Sequence, residues 1–357
     1  MKFGILTSGG DCSGLNAVIR AICLYAYDNI ENVEIVGIPD GYGGLIAGES
    51  FPLKRDDLEG LLAKGGTVLG TSRQPFKLMT VEAEDGRSRL EKMCANYRKM
   101  GLDCLFTLGG AGTHKTAALL CSEGCNVIGL PKTIDNDIYG TDVTFGFQTA
   151  VEVVTDSIDR IRTTVESHGR TMLVEIMGNK AGWLTLHSGI AAGVDMILIP
   201  ELPFSVDSVC EFVNDRKRRG MGHTMIAIAE GALPEYEAKL KKSERTFIRA
   251  ERGETTATSH LAEILRERTG VETRTTVLGY LQRGGTPCAY DRLLSSRLGG
   301  FAARLAKEGR YGVTVAVSGT RITFNALTEI AGRYKLVDPA SEIVRFARGI
   351  GIGFGDR

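Results

Sequence analysis

A short apolar, β-branched run, then a glycine turn, then a segment of helical period: this succession recurs along the chain and limits its folds more than any other feature. KFGILT passes through SGGDCSG into LNAVIRAICLYAYD, and DCLFTL passes through GGAGT into HKTAALLCSEG. VEIVGI and NVIGLP also end on turns. After residue 146 the alternation resumes. The amphipathic stretch TAVEVVTDSIDRIRTTVES precedes the strand-like RTMLVEIM, AGWLTLHSGIAAG reads as helix, and MILIP, TMIAIAEG and TRTTVLGYLQRGG read as strands. Strands alternating with helical segments predict parallel sheets with crossover helices. The expected class is α/β, with two Rossmann-like lobes. Glycine, 45 of 357 residues, is nearly twice its usual share of ~7%, and it clusters where such sheets place their ligands, beyond the C-terminal ends of strands.

The remaining composition mostly excludes. Acidic and basic residues balance at 43 each, so no electrostatic footprint points to nucleic acid or an anionic membrane surface. No apolar run approaches the ~20 residues that span a bilayer, and MKFGILTSGG reads as a first strand rather than a leader. The eight cysteines form no CxxC pair. Cys121 and Cys125 lack the second pair a zinc site needs, so buried free thiols in a reducing cytoplasm are expected. The highly charged stretch 236–256 is expected to be a solvated helix or a flexible excursion.

Three groups of residues carry candidate chemistry. Gly9 and Gly10, and then Gly110, Ala111, Gly112 and Thr113, lie where a strand turns into a helix, and amides there suit a phosphate. Neither turn matches GxGxxG or GxxxxGK[ST], which argues against nicotinamide and Walker-type sites. In GLPKTIDNDIYGTD, Lys132 and Thr133 stand beside Asp135 and Asp137, a spacing that suits a general base, a metal ligand and a cation for phosphoryl oxygens. Arg170, Arg274 and Arg283 bracket strand ends near glycines, as in bidentate phosphate capture. Glu230 ends a predicted strand as a candidate hydroxyl acceptor, with a turn-capping carboxylate as the equal alternative.

GGDCSGLNAVIR, GGTVLGTSR, PKTIDND, ESHGR, VEIMG, AEGA and LGYLQRGGTPCAYDR occur in an order that resembles the 6-phosphofructokinase family over nearly the whole chain. The subgroup with PKTIDND holds both ATP-dependent and pyrophosphate-dependent members. The resemblance implies a donor lobe of residues 1–146 plus 283–333, an acceptor lobe of 147–282 plus 334–357, and an active site in the cleft between them. It implies transfer of a phosphoryl group from ATP or pyrophosphate, with Mg2+, to the 1-hydroxyl of fructose 6-phosphate or a related sugar phosphate. By position, Asp135 matches the general base, Asp137 the carboxylate near magnesium, Thr133 a contact to the transferring group, and Gly10 and Arg73 the donor site. Met177, Gly178, Glu230 and Arg283 match the acceptor pocket. Arg170 and Arg274 match residues that reach the 6-phosphate from a neighbouring subunit, which implies a homodimer or homotetramer with shared sites.

Three positions depart from the family pattern. Ala111 stands where the family has a magnesium carboxylate, Asn179 where it has an arginine, and Tyr280 where it has a histidine. Gly112, where pyrophosphate users carry aspartate, favours ATP, while Thr116 narrows the nucleotide pocket. The leading expectation is an active kinase. The alternative is a catalytically weakened paralogue that serves as a ligand-binding regulatory or structural subunit.

Overall fold

A computed structural model of the chain describes residues 1–356; Arg357, the last residue of the expected acceptor lobe, lies outside them. The chain divides into two compact units, residues 1–149 with 283–335 and residues 150–282 with 336–357.

The first unit is built on a seven-stranded sheet. β1 (Lys2–Thr7), β2 (Glu34–Gly37), β4 (Cys104–Gly109) and β5 (Val127–Pro131) are mutually parallel, in the order β5-β4-β1-β2. The edges depart from that pattern: β3 (Phe51–Pro52) runs antiparallel beside β2, and the hairpin β10 (Val313–Ser318)–β11 (Arg321–Ala326) joins β5 through β10. β1, β4 and β5 are buried along nearly their whole length, so their sequences read as apolar runs rather than alternating ones. Helices Leu15–Asn29 and Ala289–Lys307 pack on one another closely enough that a Cβ at Gly299 would stand 2.6 Å from the Val18 carbonyl oxygen. Asp291, fully buried, anchors the next connection by accepting from the amides of Gly146 and Thr149.

The second unit holds four parallel strands in the order β7-β8-β6-β9. They are β6 (Thr171–Ile176), β7 (Met196–Leu198), β8 (Thr224–Ala229) and β9 (Thr273–Val277). β6 and β8 are buried throughout, and helices Val206–Arg218 and Thr258–Thr269 supply apolar residues to the core behind them. The fold class is therefore the expected α/β with mainly parallel sheets. The charged stretch 236–256 differs from expectation. It includes helix Lys242–Glu251, and Glu237 is buried in an ion pair with Arg249, so it is anchored rather than simply solvated. All eight cysteines are free thiols, six of them buried. Among the described residues no helix is long and apolar enough to cross a membrane.

Candidate active site

The first glycine turn connects β1 to helix Leu15–Asn29. Gly9 has φ +85° and Gly14 φ +103°, conformations that a Cβ disfavours. The Gly9 amide donates to the Ser72 carbonyl, and the Thr71 hydroxyl donates to the Gly9 carbonyl, which sets the exposed Arg73 beside this turn. Gly10 lies close under Arg283: a Cβ there would stand 2.4 Å from a guanidinium nitrogen and would displace that side chain. That guanidinium donates to the Asp11 carbonyl at 3.1 Å. Arg283, matched to the acceptor pocket, thus touches the first glycine turn in this structure.

The second turn is tighter than its sequence suggests. Gly110 is the N-cap, and Ala111, Gly112 and Thr113 already belong to helix Ala111–Ser122. The first amide bonded within the helix is that of His114, to the Gly110 carbonyl, so the three preceding N–H groups open the helix N-terminus toward the strand ends. Ala111 packs partly on the apolar core, whereas a Cβ on Gly112 would meet nothing within 4 Å. Thr113 is buried against Gly109, and the Thr116 hydroxyl turns back to the Gly112 carbonyl.

Beyond β5, Lys132 joins both turns. Its amide donates to the Gly109 carbonyl, and its buried ammonium donates to the Gly10 carbonyl. Burial pulls its pKa down, partly offset by nearby acidic groups. The Thr133 hydroxyl accepts from the Asp135 amide, and Asn136 at φ +52° turns the chain so that Asp135 and Asp137 flank it. Asp135 is half-buried and Asp137 buried. Desolvation pushes the Asp137 carboxyl up, opposed by Lys132 and Lys335. Lys335 spans the turn, donating to Asn136 Oδ1 and to the carbonyls of Thr141 and Asp142; its burial lowers its pKa to about 8.

In the second unit, β6 leads into a turn at Met177, Gly178 and Asn179. Gly178 has φ +150° and Asn179 φ +53°, and a Cβ at Gly178 would stand 2.5 Å from the Ala181 carbonyl oxygen. Glu230, just past β8, clamps this turn: its Oε1 accepts from the amides of Asn179 at 2.8 Å and Gly178 at 3.3 Å. Gln282 Oε1 accepts the Met177 amide. Tyr280 is 83% exposed.

Arg170 and Arg274 are not brought to that turn. They lie at the opposite ends of the same strands, Arg170 just before β6 and Arg274 near the start of β9, where Glu272 holds both. Seven residue steps along the strand separate Arg170 from Met177, roughly 23 Å at 3.3 Å per step. One fructose-sized phosphate ester cannot reach both groups within a single unit.

Three residues that carry no site motif of their own shape these turns. His114 fixes Gly110, Lys335 spans the Asp-rich turn, and Gln282 holds Met177. Lys335 lies some 200 residues from the turn it braces, and no local pattern announces it. Gln282 lies within LGYLQRGG, between Tyr280 and Arg283.

Glycine turns and a helix N-terminus at parallel strand ends, with a buried lysine and paired carboxylates at the next strand, define an α/β protein of the kind that binds phosphate groups there. The chain belongs to the phosphofructokinase family, whose model matches residues 2–306. It is 49% identical to an ATP-dependent 6-phosphofructokinase of Spirochaeta thermophila, covering 99% of this chain and 97% of that one. It is also 45% identical to a pyrophosphate–fructose 6-phosphate 1-phosphotransferase of Amycolatopsis methanolica, covering 95% and 97%. Among solved structures, Pichia pastoris phosphofructokinase superposes with a TM-score of 0.79 at 32% identity, covering 92% of this chain; the chain spans about a third (35%) of the Pichia chain. The fold also matches a pyrophosphate-dependent phosphofructokinase of Nitrosospira multiformis, with a TM-score of 0.82, 19% identity and coverage of 99% and 89%.

Proposed function

We propose that the protein transfers a phosphoryl group to the 1-hydroxyl of fructose 6-phosphate, with ATP as donor, as a glycolytic-type enzyme of the cytoplasm. The observation that carries this reading is Lys132, which ties the first glycine turn to the end of β4 and places a buried positive charge next to both. Asp135 takes the proton of the sugar hydroxyl, and Thr133 orders its loop and meets the transferring group. Lys132 and the opening amides of helix Ala111–Ser122 offset charge on the phosphoryl oxygens, which is the main contribution a protein makes to this reaction. Arg73 holds the donor from the side of the Gly9–Gly10 turn. Met177, Gly178 and Glu230 hold the sugar, Glu230 through the oxygen opposite the one that clamps the turn. Tyr280 and Asn179 widen or polarise this pocket relative to the histidine and arginine of the family pattern.

The carboxylates fit Mg2+, which binds through one or two carboxylates and fills its remaining positions with phosphate oxygens and water. Asp137, destabilised as a free anion by burial, is the residue that would hold it, without help from Ala111. When bound, Mg2+ supplies charge neutralisation on the donor phosphates. The preference for ATP rests on Gly112, where the absence of a side chain leaves open space at the helix start. Arg170 and Arg274, remote from Met177 along their strands, serve the 6-phosphate site of a second copy in a homodimer or homotetramer. The exposed Val277, Tyr280 and Leu281 on and after edge strand β9 support such packing. No specific observation favours a purely regulatory subunit.

Asp135→Asn tests the reading. Turnover should fall by several orders of magnitude while the fold and fructose 6-phosphate affinity persist. Unchanged turnover in that variant overturns it.

A further inference from the structure

The geometry points to a second metal site, for a borderline divalent transition ion of the Zn2+ class, formed by Glu254, His260 and Glu263. Nothing in the phosphoryl-transfer reading uses these residues. Their ligand atoms all lie within 4.8 Å of one another, at a surface cavity of about 480 Å³ that they line with Arg252, Gly253 and Ser259.

The backbone sets the first ligand. Helix Lys242–Glu251 ends in a turn in which Gly253, at φ +69°, donates to the Ala250 carbonyl and Glu254 to the Arg249 carbonyl. The Glu254 side chain is thereby folded inward and is only 9% exposed. His260 and Glu263 follow at i,i+3 on helix Thr258–Thr269, a spacing that puts both on one face.

Two observations separate this group from an ordinary ion pair. First, Glu254 Oε2 is buried without a hydrogen-bond partner, and a desolvated carboxylate oxygen left unmatched is costly. Second, Glu254 Oε1 stands 3.4 Å from His260 Nδ1, longer than the ~2.7–2.9 Å of a charge-assisted hydrogen bond. That separation equals the edge of a tetrahedron whose ligands sit about 2.1 Å from a central zinc. Rotation of the exposed Glu263 side chain brings the third ligand in, and water completes the set.

Of the neighbouring cations, Arg249 pairs with Glu237 and donates to the Thr255 carbonyl, and Arg252 lies at the cavity rim. One nitrogen and two carboxylates without sulfur suit Zn2+ and its neighbours. Mg2+ and Ca2+ prefer oxygen alone. The site lies just before Thr256 and Thr258, whose hydroxyls donate to Glu175 Oε2 on β6, so an ion there fastens the charged excursion to the central strand of the second unit.

Titration of the full-length protein with Zn2+ in excess Mg2+ tests the site, alongside His260→Ala and Glu263→Gln. The expected result is one Zn2+ per chain in the wild type, weakened at least tenfold in each variant, with the visible spectrum of bound Co2+ lost in His260→Ala. If His260→Ala fails to fold, the surface variant Glu263→Gln decides alone. No uptake in the presence of Mg2+, or uptake unchanged by the variants because thiols or other groups hold the ion, overturns the proposal.

Discussion

The ammonium of Lys132 donates to the carbonyl oxygen of Gly10, joining the end of β5 to the turn after β1 through a buried charge. This contact makes the two glycine turns one electrostatic unit. Lys132→Met keeps the volume and removes the charge. Turnover should fall by about 10²–10³, the usual cost of removing one group that stabilises transition-state charge, with little change in fructose 6-phosphate affinity. Steady-state kinetics with circular dichroism as a folding control checks this.

In the proposed function Gly112 sets the donor. A Cβ there meets nothing within 4 Å beyond its own helical turn, and an acid in the first turn of a helix is favourable. Gly112→Asp should therefore fold at least as stably as the wild type while losing ATP turnover and gaining relative activity with pyrophosphate. The ratio of kcat/KM for the two donors measures it.

Ala111 begins the helix whose opening amides the proposed function assigns to the donor phosphates. Ala111→Asp adds a carboxylate where the family pattern carries one, so the Mg2+ concentration for half-maximal rate should fall several-fold. A Mg2+ titration of initial rate at fixed ATP gives the answer, and an unchanged midpoint would mean that Asp137 alone governs the metal.

These positions show what was legible in the sequence. The strands β1, β4, β5, β6 and β8 appear as apolar runs because they are buried on both faces, and the glycine turns mark their ends. GGAGT looks like a loop in the sequence, but Gly110 alone lies between strand and helix. Three glycines within four residues masked a helix held by burial and by His114. The β10–β11 hairpin was legible as well: RITFNA alternates polar and apolar residues, as a half-buried strand does, and Gly319 marks the turn before it. Glu230 was equally legible as a ligand and as a turn clamp; the structure gives it the clamp directly, through Gly178 and Asn179.

His114 couples the second turn to pH. Its Nδ1 donates to the Gly110 carbonyl and its Nε2 accepts from Thr314, and burial lowers its pKa to about 4. The folded-state pKa is depressed, so the neutral ring contributes fully above about pH 6.5, and that stability is lost as pH falls toward 4. The unfolded chain binds the proton first, and the loss reaches roughly 3 kcal/mol at 1.36 kcal/mol per unit. Chemical denaturation of wild type and His114→Gln between pH 7 and 4 should show the difference between them shrinking by about that amount.

Arg170 and Arg274 predict a shared site. An Arg170→Ser/Arg274→Ser double variant and an Asp135→Asn variant should each be nearly inactive alone. Unfolded and refolded together in equal amounts, a statistical two-fold dimer recovers about a quarter of the wild-type rate. No recovery, with mixed oligomers shown to form, places the arginines outside the site.

The central claim is phosphoryl transfer to fructose 6-phosphate despite alanine at position 111. It is tested most directly by a steady-state matrix of ATP and pyrophosphate against fructose 6-phosphate and related sugar phosphates, with Mg2+ present and Asp135→Asn as the blank. The account predicts that ATP with fructose 6-phosphate gives the highest kcat/KM and yields fructose 1,6-bisphosphate. Turnover no greater than that blank with every donor–acceptor pair would contradict it.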